Sequence, residues 1–168
     1  MNADEIRTLQ APLKQKYKEQ PESAVVTLRA TSRFGAGMTC AVETGKSIVE
    51  AGLHPATGGD GLSACPGNML LEALAACAGV TLKAVATALA VELHDATIYA
   101  EGELDFRGTL AVTKEAPVGF KNIRLRFELK THAEKEQLDT LIKLTERYCV
   151  VYQTLSRSPH ISVAYNIA

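Results

Sequence analysis

The sequence predicts an α+β protein with a mainly antiparallel sheet, and three observations carry that expectation. Stretches of period-two hydrophobicity lie on either side of one long alanine-rich segment, Asn68 to Val91. A second helical pattern follows later, between two further period-two stretches. The chain has 168 residues, 46% hydrophobic and 22% charged, which suits one globular domain and excludes collagen-like, coiled-coil and disordered classes. With 18 basic against 19 acidic residues the net charge is -1, and no run of Lys or Arg stands out, so a nucleic-acid partner is not expected.

Residues Ala3 to Gln20 read as an amphipathic helix with Ile6, Leu9, Leu13 and Tyr17 on one face, closed by Pro21. From Ser23 to Glu43 the period changes to two: Val26, Leu28 and Ala30 face one way, Thr27, Arg29, Thr31 and Arg33 the other. Two strands joined by a turn at Gly35 to Gly37 are expected there. The stretch Gly52 to Gly67, rich in Gly, Pro, Asp and Ser, reads as a loop, and its glycines lack the spacing of a phosphate cradle.

Asn68 to Val91 predicts a helix of roughly 36 Å. Glu72, Ala76, Lys83, Thr87 and His94 share one stripe, while Cys77 lies on a different face with Leu70, Ala73, Leu74, Thr81, Ala84 and Ala88. A membrane span is not expected, because Glu72 and Lys83 would sit inside the bilayer. Apolar almost all round, this helix belongs in a core, and its alanines and Gly79 permit another backbone to approach closely. So short a chain can hardly enclose it alone, which points to a dimer that shares it.

Asp95 to Thr113 is strand-like with a turn near Gly108, and Asn122 to Lys130 alternates with Ile123, Leu125, Phe127 and Leu129 inward. A further helix begins at Thr131 or Ala133, uses Leu138, Leu141, Ile142 and Thr145, and runs to Ser156. The β-branched pair Val150 and Val151, directly after Cys149, marks where it would break in two. His160 to Ile167 reads as a last strand with Ile161, Val163, Tyr165 and Ile167 inward. The expected order is βββ, helix, ββ, helix, β.

Four cysteines remain: Cys40, Cys65, Cys77 and Cys149. No C-x2-C pair exists, so neither a zinc site nor a thioredoxin-type motif is expected. The charged N-terminus has no apolar leader, so a cytoplasmic location is the expectation, where each thiol is either a small buried hydrophobe or a reactive group. Cys40 reads as strand packing. A pair opens two-cysteine chemistry, in which one thiolate attacks a peroxide and becomes a sulfenic acid and a second thiol condenses with it. Making an ordinary thiol mostly thiolate at pH 7 requires ~3.4 kcal/mol, which an apolar site does not supply, so a cation is expected nearby. Arg29 and Arg33 share a strand face and Arg147 lies two residues before Cys149; each also reads as solvated surface charge.

The segments L-L-E-A-L-A-A-C-A-G-V-T-L around Cys77 and T-E-R-Y-C-V-V-Y-Q-T-L around Cys149 resemble the paired cysteine motifs of the OsmC/Ohr family, the osmotically inducible and organic hydroperoxide resistance proteins. The resemblance runs from about Ser23 to Ile167, so residues 1–22 look like an N-terminal helical extension and 23–168 like the family domain. It implies an intertwined homodimer, with sheets wrapped around long central helices and sites at the subunit interface. It also implies a peroxidase of oxidative stress defence, with Cys77 as the peroxidatic thiol, Cys149 as the resolving thiol and Arg33 as the strand arginine that holds the thiolate. The substrates implied are organic hydroperoxides and the reductant an external dithiol, such as a lipoylated protein; no bound cofactor or metal is implied.

Two departures from the pattern stand out. The peroxidase branches carry Pro-Glu upstream of the first cysteine where this chain has Pro66-Gly67, and the second cysteine is usually followed by Pro where this chain has Val150. Asp60 is a candidate replacement for the missing carboxylate, His54 and Arg29 are candidates to line the site, and Cys65 is a candidate second resolving thiol. The missing Glu also supports a competing expectation, a non-catalytic dimer that binds a small apolar ligand between its subunits.

Overall fold

The computed structural model describes residues 2–5, 8, 10–11, 15, 19–20, 31–34, 39–43 and 48–167, with 31–34 and 39–43 described by their backbone. The described residues from 3 to 19 are helical, and Asn2 and Glu5 cap that start reciprocally, each side chain accepting the other's backbone N–H at 2.9 Å. Arg29 lies outside the described residues.

Strands β1 (Thr31–Phe34), β2 (Thr39–Glu43) and β3 (Ile48–Gly52) form an antiparallel meander, with Phe34 opposite Cys40 and Arg33 opposite Ala41. The turn expected at Gly35 to Gly37 lies outside the described residues. The following loop is tied back to the sheet by two backbone bonds, Gly52 N–H to Ala64 and Ala64 N–H to Glu50, both 2.9 Å.

Helix α1 (Pro66–Ala88) starts two residues before the apolar pattern does, because Pro66 suits the first helical position, where its missing N–H costs nothing. One stripe of α1, Leu74, Ala78, Leu82 and Ala86, is buried at i, i+4 spacing. It packs on a two-stranded sheet of β4 (Asp95–Glu103) and β5 (Asn122–Lys130), paired along their whole length from Asp95 opposite Lys130 to Glu103 opposite Asn122. On β5 the inward residues are the four that the alternation predicted. A Cβ at Gly79 would stand 3.5 Å from Ile98, so the helix backbone lies close on the sheet.

The region Asp95 to Thr113 differs from expectation. Strand β4 ends at Glu103, and Asp105, accepting the Arg107 N–H, opens a single helical turn α2 (Phe106–Thr109) in place of more strand. Gly108 is needed in that turn, since a Cβ there would come within 2.6 Å of the Ala116 carbonyl oxygen.

Helix α3 (Lys135–Tyr148) begins later than Thr131 or Ala133, because the Thr131 hydroxyl accepts the Ala133 N–H at 3.0 Å and holds the chain in a local turn. The Gln137 side chain then accepts the Glu134 N–H at 3.1 Å. The helix breaks at Cys149, whose ψ of 107° is extended, and α4 (Val150–Ser156) follows at once. The break thus falls at the expected position, just before Val150 and Val151.

The last expected strand is not formed. Residues 157–167 carry no regular secondary structure, and Ile161, Val163, Tyr165 and Ile167 are 78%, 91%, 85% and 91% exposed. An alternating segment becomes a strand only when a free edge receives its backbone groups, and no edge of this chain does so among the described residues. The other face of α1 is uncovered as well: Leu70, Ala73, Ala76 and Ala84 are exposed and Val80 is 74% exposed. By length and composition α1 could cross a membrane, with a mean hydropathy of 1.7, but Glu72 and Lys83 interrupt it and one stripe is committed to the sheet.

Candidate active site

The site is built where α1 meets the break between α3 and α4. Cys149 is fully buried beside Leu74 and Ala78, and Cys77, half-buried, packs against the same group. Breaking a helix frees the N–H groups of the next first turn, which have no intrahelical partner. Here the Gln153 N–H returns to the Cys149 carbonyl at 2.9 Å, while the earlier N–H groups turn to the sulfurs.

Burial pushes the Cys77 thiol up, yet the backbone N–H of Val151, the Cys149 thiol, the Val150 N–H and the Thr81 hydroxyl outweigh it, and the net result is a value below the ordinary thiol range. Burial pushes Cys149 the other way, above that range, and the negative charge on Cys77 adds to this; the Tyr152 and Val151 N–H groups offset it only in part. Between the two sulfurs Cys149 is therefore the donor and Cys77 the acceptor. Among the described residues the donors that do this are uncharged, whereas a cation was expected. Cys77 and Cys149 are both free thiols.

A cleft of about 360 Å³ is lined by Leu74, Phe120, Ile123, Leu125, Tyr152 and Leu155 together with Lys121, Asn122 and Ser156, and neither cysteine lines it. Most of these side chains also pack around Cys149. Among the described residues no cluster of His, Cys, Asp or Glu could hold a metal ion.

The other expected residues lie elsewhere or are only partly described. Arg33 sits on β1, its side chain outside the described residues. Cys65 caps the N-terminus of α1, twelve residues before Cys77, which puts it roughly 18 Å away along the helix axis. His54 stacks on Phe106 at 4.8 Å, and its Nδ1 accepts the Ala56 N–H at 3.0 Å. Asp60 accepts the Leu62 N–H at 2.9 Å. These contacts are local to the loop and α2. At Gly67 a Cβ would meet Leu104 and Phe120 at 3.6 Å and Cys65 Sγ at 3.7 Å, a largely apolar corner. Arg147 is exposed and lies over the Tyr148 ring at 5.6 Å.

The sequence places Thr81 on the face of Cys77 without marking it as a donor, and it marks neither Gln153 nor the backbone N–H groups of Val150 and Val151 as part of the site. The signal for the two side chains was available: Thr81 stands four residues after Cys77 and Gln153 four after Cys149, the spacing that brings side chains and backbone of adjacent helical turns together.

An antiparallel sheet packed on a long helix, with two thiols facing each other at a helix break, defines a two-cysteine α+β domain. The family described as OsmC-like protein matches residues 58–164, and the chain belongs to that family. No curated protein matches it by sequence. Among solved structures it is similar to an OsmC-like protein from Mycoplasma pneumoniae, with 16% identity, 79% of this chain and 89% of that one covered, and a TM-score of 0.67. An organic hydroperoxide resistance protein OsmC from Legionella pneumophila aligns with 20% identity over 80% of this chain and 92% of that one, with a TM-score of 0.62. The organic hydroperoxide resistance protein OhrB of Bacillus subtilis aligns with 22% identity over 80% and 93%, with a TM-score of 0.53. These likenesses establish the fold: mixed helix and antiparallel sheet of the OsmC/Ohr type.

Proposed function

We propose that the protein is a thiol-dependent peroxidase that reduces organic hydroperoxides and serves in oxidative stress defence. The observation that carries this reading is the opposed pair: a half-buried Cys77 held toward thiolate and a fully buried Cys149 held as thiol, each by the other and by the same helix break. The Cys77 thiolate attacks the outer oxygen of the hydroperoxide and the O–O bond breaks. The alkoxide takes a proton from solvent and leaves as an alcohol, and Cys77 becomes a sulfenic acid. That step removes the negative charge that kept Cys149 protonated. Cys149 then attacks the Cys77 sulfur, water leaves with the Cys149 proton, and a disulfide forms. An external dithiol, such as a lipoylated protein, reduces it by exchange and is itself oxidised to a disulfide. The apolar side chains of that cleft suit the organic part of such a substrate, and Arg33 is the candidate for polarising the peroxide.

The working form in this reading is a homodimer. Its support is the exposed apolar face of α1 and the unpaired alternating segment at residues 160–167, both of which a second copy would cover. Residues 1–22 extend the family domain at 23–168, and a cytoplasmic site of action fits thiols that must be re-reduced.

The test is reduction of cumene hydroperoxide with dithiothreitol. Wild type is expected to turn over and Cys77→Ser to be inactive, while Cys149→Ser still forms the sulfenate once but no intramolecular disulfide. A wild type that reduces no hydroperoxide with any dithiol overturns the reading. In that event the apolar corner at Gly67 favours the second one, a non-catalytic dimer that retains a small apolar ligand, detectable by native mass spectrometry.

A further inference from the structure

We propose that Gln153 is a positioning residue for the cysteine pair: by holding the Glu146 carbonyl it keeps α3 and α4 as two helices and leaves the Val150 and Val151 N–H groups free for Cys77. The proposal rests on the peroxidase reading for its meaning, but not for its test. In an uninterrupted α-helix each N–H bonds the carbonyl four residues earlier, so Val150 would bond Glu146 and Val151 would bond Arg147. Nothing in the local sequence forbids that continuous helix. The residue after Cys149 is Val, which has an N–H and can be helical, whereas a Pro there would enforce the break and supply no donor.

In the structure the break is held by one side chain. Gln153 Nε2 donates to the Glu146 carbonyl oxygen at 2.8 Å, in a partly buried position, while the Gln153 backbone N–H donates to the Cys149 carbonyl at 2.9 Å. One residue thus closes the first turn of α4 and occupies the acceptor that α3 would need in order to continue. The carbonyl is satisfied without Val150, and the Val150 and Val151 N–H groups stay on the Cys77 sulfur. The titratable group facing Cys77 from this side is Cys149, and the Thr81 hydroxyl faces it from its own helix.

Without the Gln153 amide, Glu146 would be left as an unsatisfied acceptor whose nearest remedy is the Val150 N–H. Fusion of the helices would take that donor from Cys77 and turn Cys149 on its axis. The variant is Gln153→Met, close in shape but without a donor. The readout is the rate of Cys77 alkylation by iodoacetamide as a function of pH, followed by peptide mass spectrometry, with folding checked by circular dichroism. We expect a folded variant whose Cys77 profile moves to higher pH, with alkylation at pH 7 slowed by about tenfold. A lower melting temperature with an unchanged Cys77 profile overturns the proposal and leaves Gln153 a structural residue.

If Gln153→Met does not fold, NMR on the wild type decides. Protected Gln153 side-chain amide protons, together with Val150 and Val151 amide shifts that follow the Cys77 titration, support the proposal; a freely exchanging Gln153 amide overturns it. Neither readout uses hydroperoxide turnover, so a protein inactive on peroxides with a Cys77 profile that depends on Gln153 would refute the activity and keep the positioning role.

Discussion

Cys65 and Cys77 belong to one helix, twelve residues apart, and their surroundings differ at every level. Cys65 stands at the N-cap of α1 beside the loop, makes no capping bond through its side chain, and has its sulfur 3.7 Å from where a Cβ on Gly67 would stand. Cys77 lies mid-helix, opposite a chain break that offers two backbone N–H groups, a hydroxyl and a second thiol. Both sulfurs are half-buried. Exposure therefore does not separate them; the supply of donors does, and it comes from α3–α4 rather than from α1.

The largest effect that would break this comparison is on turnover. Cys77→Ser should abolish reduction of cumene hydroperoxide, whereas Cys65→Ser should retain the wild-type rate within about twofold, as expected of a near-isosteric substitution outside the machinery. Loss of activity in Cys65→Ser would mean that the two neighbourhoods cooperate across the subunits. Next comes association. The helix around Cys77 also carries the uncovered apolar face, so Val80→Glu should shift a dimer toward monomer by at least about a hundredfold in dissociation constant, read by sedimentation velocity, because a charge would be buried without a partner. An unchanged dimer would put the interface elsewhere.

A third effect separates the partners within the site. Because the folded state holds Cys77 below the ordinary thiol range, its thiolate stabilises the fold: that contribution is present above the ordinary thiol pKa and lost as pH falls through the folded value. Cys149, held above the range, has the opposite sign: its contribution is present below the ordinary value and lost as pH rises through the folded one. Cys149→Ala removes the donated thiol hydrogen, so the iodoacetamide profile of Cys77 should move to higher pH and alkylation at pH 7 should slow by about tenfold. A profile that moves to lower pH would mean that Cys149 disfavours the thiolate. The smallest effect is Thr81→Val, the same measurement with about a threefold slowing, since one weaker neutral donor is lost.

Strand β5 was legible with its inward face, because Ile123, Leu125, Phe127 and Leu129 repeat at two residues; α1 was legible as a helix, but not its buried stripe of Leu74, Ala78, Leu82 and Ala86, since a segment apolar almost all round does not mark which side meets the sheet. The break at Cys149 was legible from two valines, and the thiol pair from its motifs. What periodicity cannot carry is the identity of a partner. Ile161, Val163, Tyr165 and Ile167 alternate as a strand does, yet alternation specifies a face and says nothing about which edge receives it. The short helix α2 escaped for a different reason, because a single turn opened by Asp105 is too brief to set up a helical period. The donors to Cys77 escaped for a third. Backbone N–H groups are the same at every non-proline residue, so the sequence marks where a sulfur sits but not which amides a broken helix turns toward it.

In the proposed function Cys77 and Cys149 act as one redox pair. The most direct measurement is to add one equivalent of cumene hydroperoxide to the fully reduced protein, without any dithiol, and to map the disulfides by peptide mass spectrometry. Each chain should lose two hydrogens and yield a single crosslinked peptide pair joining Cys77 to Cys149. Full retention of both thiols, or a disulfide that joins Cys77 to Cys65 instead, would contradict it.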